Sequence, residues 1–196
     1  MAWDTENTKR RIREAAVAEF AAHGSSARVD RIAARAGVNK ERMYAYYGNK
    51  EELFSTVLRE ELSRLAAAVS LDAASARDLG DYAGRAFDYH LAHPELLRLL
   101  HWEGLRWTGD AVADDAERSA YYARKVAAIA DAQAGGEIAS DPEAARMLYA
   151  IIALTAWWFA APQIVAMLLG AAAGDQAAQR DALVTLVRRL TGAPAA

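Results

Sequence analysis

Apolar residues recur along this chain at intervals of three and four, which is the spacing of one helix face. No stretch alternates apolar and polar residues for long enough to predict a strand. A first helix is predicted over residues 6 to 23, because Ile12, Ala16 and Phe20 repeat every four residues and Gly24 can end it. The same periodicity continues to the far end of the chain, so the predicted fold class is all-α.

Two short helices follow the first one. Residues 28 to 36 place apolar side chains on one face, and Gly37 can adopt the left-handed conformation that ends such a helix. Asn39 is a good N-cap for a third helix over residues 40 to 46. Joined across the turn at Gly37 to Asn39, these two helices form a predicted helix-turn-helix.

A longer fourth helix is predicted after Asn49, which has capping-box spacing to Glu52. We expect residues 1 to 50 to form a helix-turn-helix domain, linked through the helix over residues 50 to 69 to a second helical domain within residues 51 to 196. Further helices are predicted at about residues 76 to 92, 94 to 107, 112 to 134, 142 to 160, 164 to 169 and 176 to 191. Pro94 and Pro142 are expected in the first turns of their helices, with His93 and Asp141 as caps.

Composition excludes several classes of protein. The chain has 196 residues, of which 54% are apolar and none is cysteine. The absence of cysteine removes disulfide frameworks, thiolate catalysis and cysteine-ligated zinc. The first 20 residues mix acidic and basic side chains and do not resemble a signal peptide, so a cytoplasmic protein is expected.

One long uncharged segment, from Met147 to Gly174, raises the alternative of a membrane span. Pro162 interrupts this segment and leaves Met147 to Ala161 as its longest unbroken apolar piece. That piece is short for a bilayer, so a helix buried in a core or a subunit interface is favoured and no membrane association is expected.

Charge is distributed unevenly between the two ends of the chain. Residues 8 to 50 contain ten basic and four acidic residues, a net +6, so a formal total of −3 leaves −9 for the remainder. A basic first segment favours a polyanionic partner, since neutralised phosphates supply much of the affinity for nucleic acid. An ordinary solvated helix face would explain the same charges.

Residue types in the first third of the chain agree with one known pattern in a single register. The matching positions are Ile12, Ala15-Ala16, Phe20, Gly24, Val29, Ile32-Ala33, Ala36-Gly37-Val38, Met43-Tyr44, Tyr47, Lys50-Glu51 and Leu53-Phe54. Over residues 8 to 58 this pattern resembles the DNA-binding region of the tetracycline-repressor (TetR) family. The resemblance implies a dimeric, ligand-responsive transcriptional repressor that binds a double-stranded DNA operator and is released by a small hydrophobic effector. It assigns DNA binding to residues 1 to 50, and ligand binding and dimerisation to residues 51 to 196. The alternative is a non-DNA-binding helical carrier of small molecules.

Each matched position has a physical interpretation. A small core is predicted from Ile12, Phe20, Val29, Ile32, Val38, Met43 and Tyr47. The third helix, over residues 40 to 46, would be the recognition helix. There Arg42 can donate hydrogen bonds to guanine and Glu41 can accept a hydrogen bond from cytosine, so these two residues are candidates for base contacts. The resemblance implies phosphate-positioning roles for Lys40, Tyr44, Tyr46 and Lys50. Arg28, which could replace a phosphate contact of the family with a charge, and Asn39 complete the candidate DNA-binding set. Three positions depart from the family pattern. They are Arg28, where a threonine or serine is usual, Glu41, where a small residue is common, and Tyr47, where a phenylalanine is usual and whose hydroxyl must reach water or a partner.

In the family, the central helices enclose a pocket for a small and often hydrophobic effector. Candidate ligand-binding residues in this chain are Phe87, His90, His101, Glu103, Trp107, Tyr121, Tyr122 and Trp157, although aromatic residues at helical spacing also build cores. His90 and His93 have a spacing compatible with a metal, but they lack companion ligands, so we expect no metal and no cofactor. No catalytic motif is present, and no enzyme activity is expected.

The resemblance also implies a homodimer that pairs through the last two long helices. The residues predicted for this interface or its adjoining core are Ile151, Leu154, Trp158, Leu183, Leu186, Val187 and Leu190. A twofold axis would set two recognition helices about 34 to 36 Å apart to bind a palindrome. An effector that prefers another conformer would then release the DNA.

Overall fold

The structure is a computed structural model that describes residues 2 to 108 and 115 to 192. The described residues form ten α-helices and no strand. They belong to two compact units, each of which is discontinuous in sequence. Unit 1 contains the residues up to Arg64 and those from Glu95 to 108, and unit 2 contains Leu65–Pro94 and the residues from 115 onward. The chain therefore passes from unit 1 to unit 2 inside its fourth helix, and residue 50, the predicted domain boundary, is the start of that helix.

Unit 1 consists of five helices, the fourth of which continues into unit 2. They are α1 (Ala2–His23), α2 (Val29–Ala36), α3 (Lys40–Tyr47), α4 (Lys50–Ala68) and α6 (Pro94–Arg106). Most of the predicted small core is confirmed, because Ile12, Phe20, Val29, Ile32 and Met43 are buried. Val38 and Tyr47 are instead half-buried.

Side-chain contacts join the helices of unit 1. The rings of Phe20 and Phe54 meet edge to face at 5.2 Å between centroids, which fixes α1 against α4. The Tyr47 hydroxyl donates to the carbonyl of Lys9 at 3.2 Å, so the hydroxyl that departs from the more usual phenylalanine has a partner. The helix-turn-helix is thus supported on a packed base.

The ends of the short helices have the predicted chemistry. Gly37 has a φ of +65° after α2, and the side-chain oxygen of Asn39 accepts from the backbone N–H of Arg42 at 2.8 Å. Before α4, Asn49 accepts from the Glu52 N–H at 2.9 Å, and its own amide donates to the Glu52 carboxylate at 2.8 Å. These caps define where α3 and α4 begin.

Gly24, at the end of α1, lies directly beneath the indole of Trp102 in α6. Its φ is +52°, and a Cβ atom placed there would lie 2.1 Å from Cδ2 of Trp102. Two separate constraints therefore require glycine at this position: the positive φ angle, and the lack of space for a Cβ atom beneath the indole. This contact brings α6 against the turn that precedes α2.

Unit 2 contains the end of α4 and five further helices: α5 (Leu79–Ala92), α7 (Asp115–Ala134), α8 (Ala144–Ala160), α9 (Pro162–Leu169) and α10 (Gln176–Thr191). Its core includes Phe87, Ile129, Met147, Ile151 and Leu183. These side chains come from four helices, so the core depends on contacts between distant parts of the sequence.

Helix α5 approaches α10 closely. A Cβ atom at Gly80 would lie 2.6 Å from Cγ of Arg188, so a larger residue would push the two helices apart. Asp78 accepts from Arg188 at 3.0 and 2.6 Å, and Asp88 accepts from Arg180 Nε at 2.8 Å. Two ion pairs therefore hold α5 and α10 together at either end of the contact.

Two predicted helix starts are wrong. Helix α5 begins at Leu79 and not near residue 76, because Ser75–Arg77 is a short 3-10 turn and the side chain of Asp78 caps the helix by accepting from Asp81 N–H at 3.1 Å. Helix α8 begins at Ala144, so Pro142 precedes the helix. The carbonyl of Pro142 accepts from Gln133 Nε2 at 2.9 Å, which holds it in the preceding turn.

The remaining predicted boundaries agree with the structure to within a few residues, including the break at Pro162 and the helix over 176 to 191. The predicted start of α7 at Val112 lies outside the described residues. Over the described ranges no single helix is both long and apolar enough to cross a membrane. Helix α8 together with Pro162–Gly174 meets that criterion by length and composition only as a pair bent by 84°.

Candidate DNA-binding and effector sites

Helix α3 has one buried face and one exposed face. Met43 is 1% exposed and anchors the helix to unit 1, whereas Lys40, Glu41, Arg42 and Tyr44 are exposed. The exposed face therefore carries two cations, one carboxylate and one phenol. Such groups can donate to phosphates and can reach donors and acceptors on base edges.

Asp30 in α2 pairs with cations on this surface. Its carboxylate lies 3.1 Å from Lys40 Nζ and 4.0 Å from a guanidinium nitrogen of Arg28. The hydrogen bond from Lys40 to Asp30 raises the pKa of the Lys40 ammonium, which stays charged. The backbone N–H of Arg28 donates to Glu19 at 3.0 Å, so the start of α2 is held by a glutamate from α1 instead of a local hydroxyl.

Tyr46 lies between two cationic side chains. Arg42 Nε donates to the Tyr46 hydroxyl at 3.4 Å, and the Arg42 guanidinium is 5.9 Å from the ring centroid. Lys9 Nζ from α1 is also 5.9 Å from that ring. Lys9 was not a predicted site residue, and only its basic character in the first helix could have indicated it.

Lys50 stands at the start of α4, as predicted, and its Nζ donates to the carbonyl of Ser25 at 2.6 Å. This bond fastens α4 to the turn that follows α1. An ammonium group has three donors, so the bond to Ser25 leaves donors for a phosphate. The predicted phosphate contact of Lys50 stays a prediction.

The predicted effector-binding residues are divided between the two units. His101, Glu103 and Trp107 belong to unit 1, where His101 is exposed, Glu103 is half-buried and Trp107 is 60% exposed. The other five belong to unit 2.

Phe87 and His90 come together in unit 2, and both contact Phe159. The ring of Phe159 lies 4.9 Å from that of Phe87 and 5.9 Å from the imidazole of His90. His90 is 6% exposed, and its Nδ1 has no hydrogen-bond partner among the residues that the structure describes. Burial, reinforced by the charge of nearby His93, lowers the pKa of His90 to about 4, so its imidazole is neutral at neutral pH.

Tyr121, Tyr122 and Trp157 are more accessible than Phe87 and His90. Tyr121 is half-buried, Tyr122 is 38% exposed and Trp157 is 58% exposed. Tyr121 lies beside Lys125, a buried residue that sequence reasoning missed. The sequence pattern could have indicated this buried lysine, because a lysine is unusual on the inward face of a helix. The residues that share this face of α7 are Tyr121, Lys125, Ile129 and Ala132.

The predicted dimer residues fall into two groups. Ile151, Leu183 and Val187 are at most 1% exposed and belong to the core of unit 2. The sequence predicted that these residues lie either in the dimer interface or in the adjoining core, and these three lie in the core. Leu186 is 50% exposed and Leu190 is 39% exposed, whereas Leu154 and Trp158 are partly buried against the core. Leu186 and Leu190 are the members that face outward on α10.

Among the described residues, no group of three or more histidine and acidic side chains is arranged to hold a metal ion. His90 and His93 therefore have no companion ligand in the part of the chain that the structure describes. The geometry instead defines a helix-turn-helix with an exposed, cation-bearing second helix, attached through α4 to a helical body. That combination is the architecture of a DNA-binding regulator.

Comparison with known proteins identifies the family. Residues 12–57 match the family of bacterial regulatory proteins of the tetR type, and residues 78–189 match the tetracyclin repressor-like C-terminal domain. The chain is 45% identical over 188 residues to the HTH-type transcriptional repressor SCO4008 of Streptomyces coelicolor, covering 95% of this chain and 96% of that protein. The chain belongs to the TetR family of transcriptional regulators.

Solved structures agree with this assignment. The crystal structure of SCO4942 from Streptomyces coelicolor superposes with a TM-score of 0.82 at 36% identity, covering 95% of this chain and 99% of that one. The fatty acid degradation regulator FadR from Bacillus halodurans superposes with a TM-score of 0.67 at 19% identity, covering 91% and 97% of the two chains. The second likeness concerns the fold alone.

Proposed function

We propose that this protein is a homodimeric transcriptional repressor that binds a palindromic operator and releases it when a small effector occupies the helical body. It acts in the cytoplasm, where the operator DNA is, and carries out no catalysis. The exposed face of α3, with Met43 buried behind it, is the observation that carries the proposal. The repressor SCO4008 supports the sign of regulation, because it resembles this chain over nearly its whole length.

Arg42 and Glu41 are the proposed base-reading residues. The bond from Asn39 to the Arg42 N–H fixes the start of α3, so both side chains leave from its first turn. Arginine can bind two acceptors of guanine, and glutamate can accept from the amino group of cytosine. Glu41 would repel phosphates at other sites, which favours a selective operator over generic DNA.

A gel-shift assay tests the assignment, using DNA selected from a random pool by the purified protein. Arg42→Ala should weaken binding by about 1 to 3 kcal/mol and relax the preference at one base pair of each half-site. Arg98→Ala is a matched control, because it removes an exposed arginine from unit 1 outside the helix-turn-helix. Unchanged DNA binding after both Arg42→Ala and Tyr44→Ala would favour the alternative of a ligand carrier.

The phosphate-positioning residues should behave differently from Arg42. Lys40→Ala and Lys50→Ala should weaken binding to all sequences by similar factors and reduce the slope of log affinity against log salt by about 1 each. Arg28, Asn39, Tyr44 and Tyr46 are proposed for the same class. A change in base preference for any of these variants would move that residue into the base-reading group.

The proposed dimer uses the outward-facing side chains of α8 and α10. Leu186 and Leu190 lie one turn apart on α10, and Tyr149 and Trp157 lie two turns apart on α8 at 75% and 58% exposure. Exposed apolar side chains at such spacing suit a helical interface. Leu186→Glu should shift the protein to monomer in analytical ultracentrifugation, whereas Leu105→Glu, at a 76% exposed leucine of unit 1, should not.

A further inference from the structure

Lys125 is a buried cation that the proposed DNA-binding and dimer surfaces do not use. It lies in α7 of unit 2 and is 4% exposed. Its Nζ donates to the Tyr82 hydroxyl at 2.8 Å and to the carbonyl of Val69 at 3.1 Å. The ring centroids of Tyr82 and Tyr121 lie 4.7 and 4.3 Å from the same nitrogen. No carboxylate among the described residues pairs with Lys125.

The Val69 carbonyl that accepts from Lys125 lies at the end of α4. Val69 comes immediately after α4 and continues its pattern, since its N–H donates to the carbonyl of Leu65 at 2.8 Å. The Tyr121 hydroxyl donates to the same Val69 carbonyl at 3.3 Å. Carbonyls at a helix C-terminus carry partial negative charge, so Lys125 and Tyr121 together cap the end of α4.

This environment compensates the charge of Lys125 only in part. Burial, with a smaller effect from the guanidinium of Arg85, lowers the pKa of Lys125 to about 8. The ammonium is therefore charged at neutral pH, but it faces only dipoles and ring faces. An anionic oxygen would form a charge-assisted hydrogen bond with Nζ, which is roughly twice as strong as a bond to a neutral acceptor.

We propose that Lys125, with Tyr82 and Tyr121, is the effector-recognition group of unit 2, and that the effector is a small aromatic or apolar molecule bearing a carboxylate. Lys125 supplies the counter-charge, the half-buried ring of Tyr121 supplies apolar surface beside it, and the Tyr82 hydroxyl helps to hold the ammonium group in place. This inference rests on the proposed effector control and names the chemical class of the effector. It adds a carboxylate to the small and often hydrophobic effector expected from the family resemblance.

The same contact connects effector binding to the DNA-binding residues. A carboxylate that binds Lys125 Nζ competes with the Val69 carbonyl for this ammonium group, and Tyr121 is the other side-chain donor to the same carbonyl. Helix α4 begins at Lys50, directly after the helix-turn-helix. Binding at Lys125 is therefore expected to act on α4, the helix that continues from the helix-turn-helix into unit 2.

Matched pairs of probes test the chemistry without DNA. Wild-type protein at pH 7 is titrated with benzoate, 2-naphthoate, indole-3-acetate and decanoate, and with the primary amide of each acid, while thermal unfolding and tryptophan fluorescence are recorded. At least one carboxylate should bind at least tenfold more tightly than its amide. Equal binding of acid and amide throughout, or no binding by any of the four acids, would overturn the proposal.

Variants locate the site. Lys125→Met should reduce the affinity for that carboxylate at least tenfold, and Lys125→Gln, which can keep one bond to Val69, should do the same if the methionine variant folds poorly. Arg146→Met, which removes a 77% exposed side chain of unit 2, should bind as the wild type does. Wild-type affinity in a folded Lys125 variant would place any carboxylate elsewhere and refute the assignment.

Hydrogen exchange tests the competition at Val69. Amides within residues 60 to 72 should exchange faster when the carboxylate is bound, and Lys125→Met should reproduce this change without the probe. Unchanged exchange in the bound wild type would overturn the link to α4. Because none of these measurements uses DNA, a protein that binds the carboxylate but no operator would contradict only the proposed function.

Discussion

Gly24→Ala should destabilise unit 1 far more than an alanine substitution at an ordinary helix end. At a φ of +52° an alanine costs about 1 to 2 kcal/mol, because its Cβ crowds the backbone in the left-handed region. The new Cβ would also lie 2.1 to 2.5 Å from three atoms of the Trp102 indole. Displacing a packed ring of this kind costs about 1 to 3 kcal/mol more.

The expected loss of about 2 to 5 kcal/mol is a large part of the free energy of unfolding of a typical domain. Gly37→Ala is the matched control in the same unit. Gly37 has a φ of +65°, but a Cβ there would meet only the terminal nitrogen of Arg11, an exposed side chain that can move away. That variant should therefore lose only the backbone contribution of about 1 to 2 kcal/mol.

Urea unfolding followed by circular dichroism measures both losses. A double-mutant cycle with Trp102→Ala isolates the contact, because Gly24→Ala should cost about 1 to 3 kcal/mol less when the indole is absent. If Gly24→Ala costs no more than Gly37→Ala, or if the cycle shows no coupling, then Trp102 does not pack on Gly24 as described. Either result would refute the described contact between α6 and the end of α1.

Three further predictions concern single groups. Asn39→Ala removes the cap of α3 and should cost about 1 kcal/mol in urea unfolding, whereas Asn39→Asp should cost little, since aspartate caps equally well. Asp78→Asn keeps a capping oxygen but loses the charge that pairs with Arg188, so it should cost under about 1 kcal/mol. Because the Arg188 guanidinium lowers the pKa of Asp78, that difference should be present above about pH 4 and vanish as the pH falls through the lowered pKa. The imidazole of His90 has a pKa of about 4 in the folded protein against 6.5 in a free chain, so the free energy of unfolding should fall by up to about 3 kcal/mol as the pH is lowered from 6.5 to 4. His90→Phe should flatten that part of the profile, and equal slopes in both proteins would contradict a buried, neutral His90.

Local chemistry explains which parts of the fold could be predicted. Asn39 and Gly37 act on atoms within three or four residues of themselves, so the ends of α2 and α3 were predictable from neighbouring residues alone. The inward face of α3 was equally predictable from Met43. In contrast, Pro142 was misplaced because its carbonyl binds Gln133, nine residues earlier, and no local rule anticipates that bond.

Long-range contacts explain what the sequence could not supply. The indole over Gly24 comes from residue 102, and the carbonyl held by Lys125 comes from residue 69. Helix termination already explains why a glycine follows α1, so nothing in the sequence indicates that a ring packs against Gly24. Lys125 was detectable in principle as a charge on an apolar face, but its acceptors were not.

Asp30 gives the DNA-facing surface a property that its positive charge alone does not indicate. Its carboxylate pairs with Lys40 and lies near Arg28, so part of the positive charge of these two cations is compensated within the protein before a phosphate binds. Random duplex therefore gains less from these cations, and the protein should dwell only briefly on DNA that lacks its target. Discrimination between target and bulk chromosome then depends more on the groove-facing side chains than on total charge.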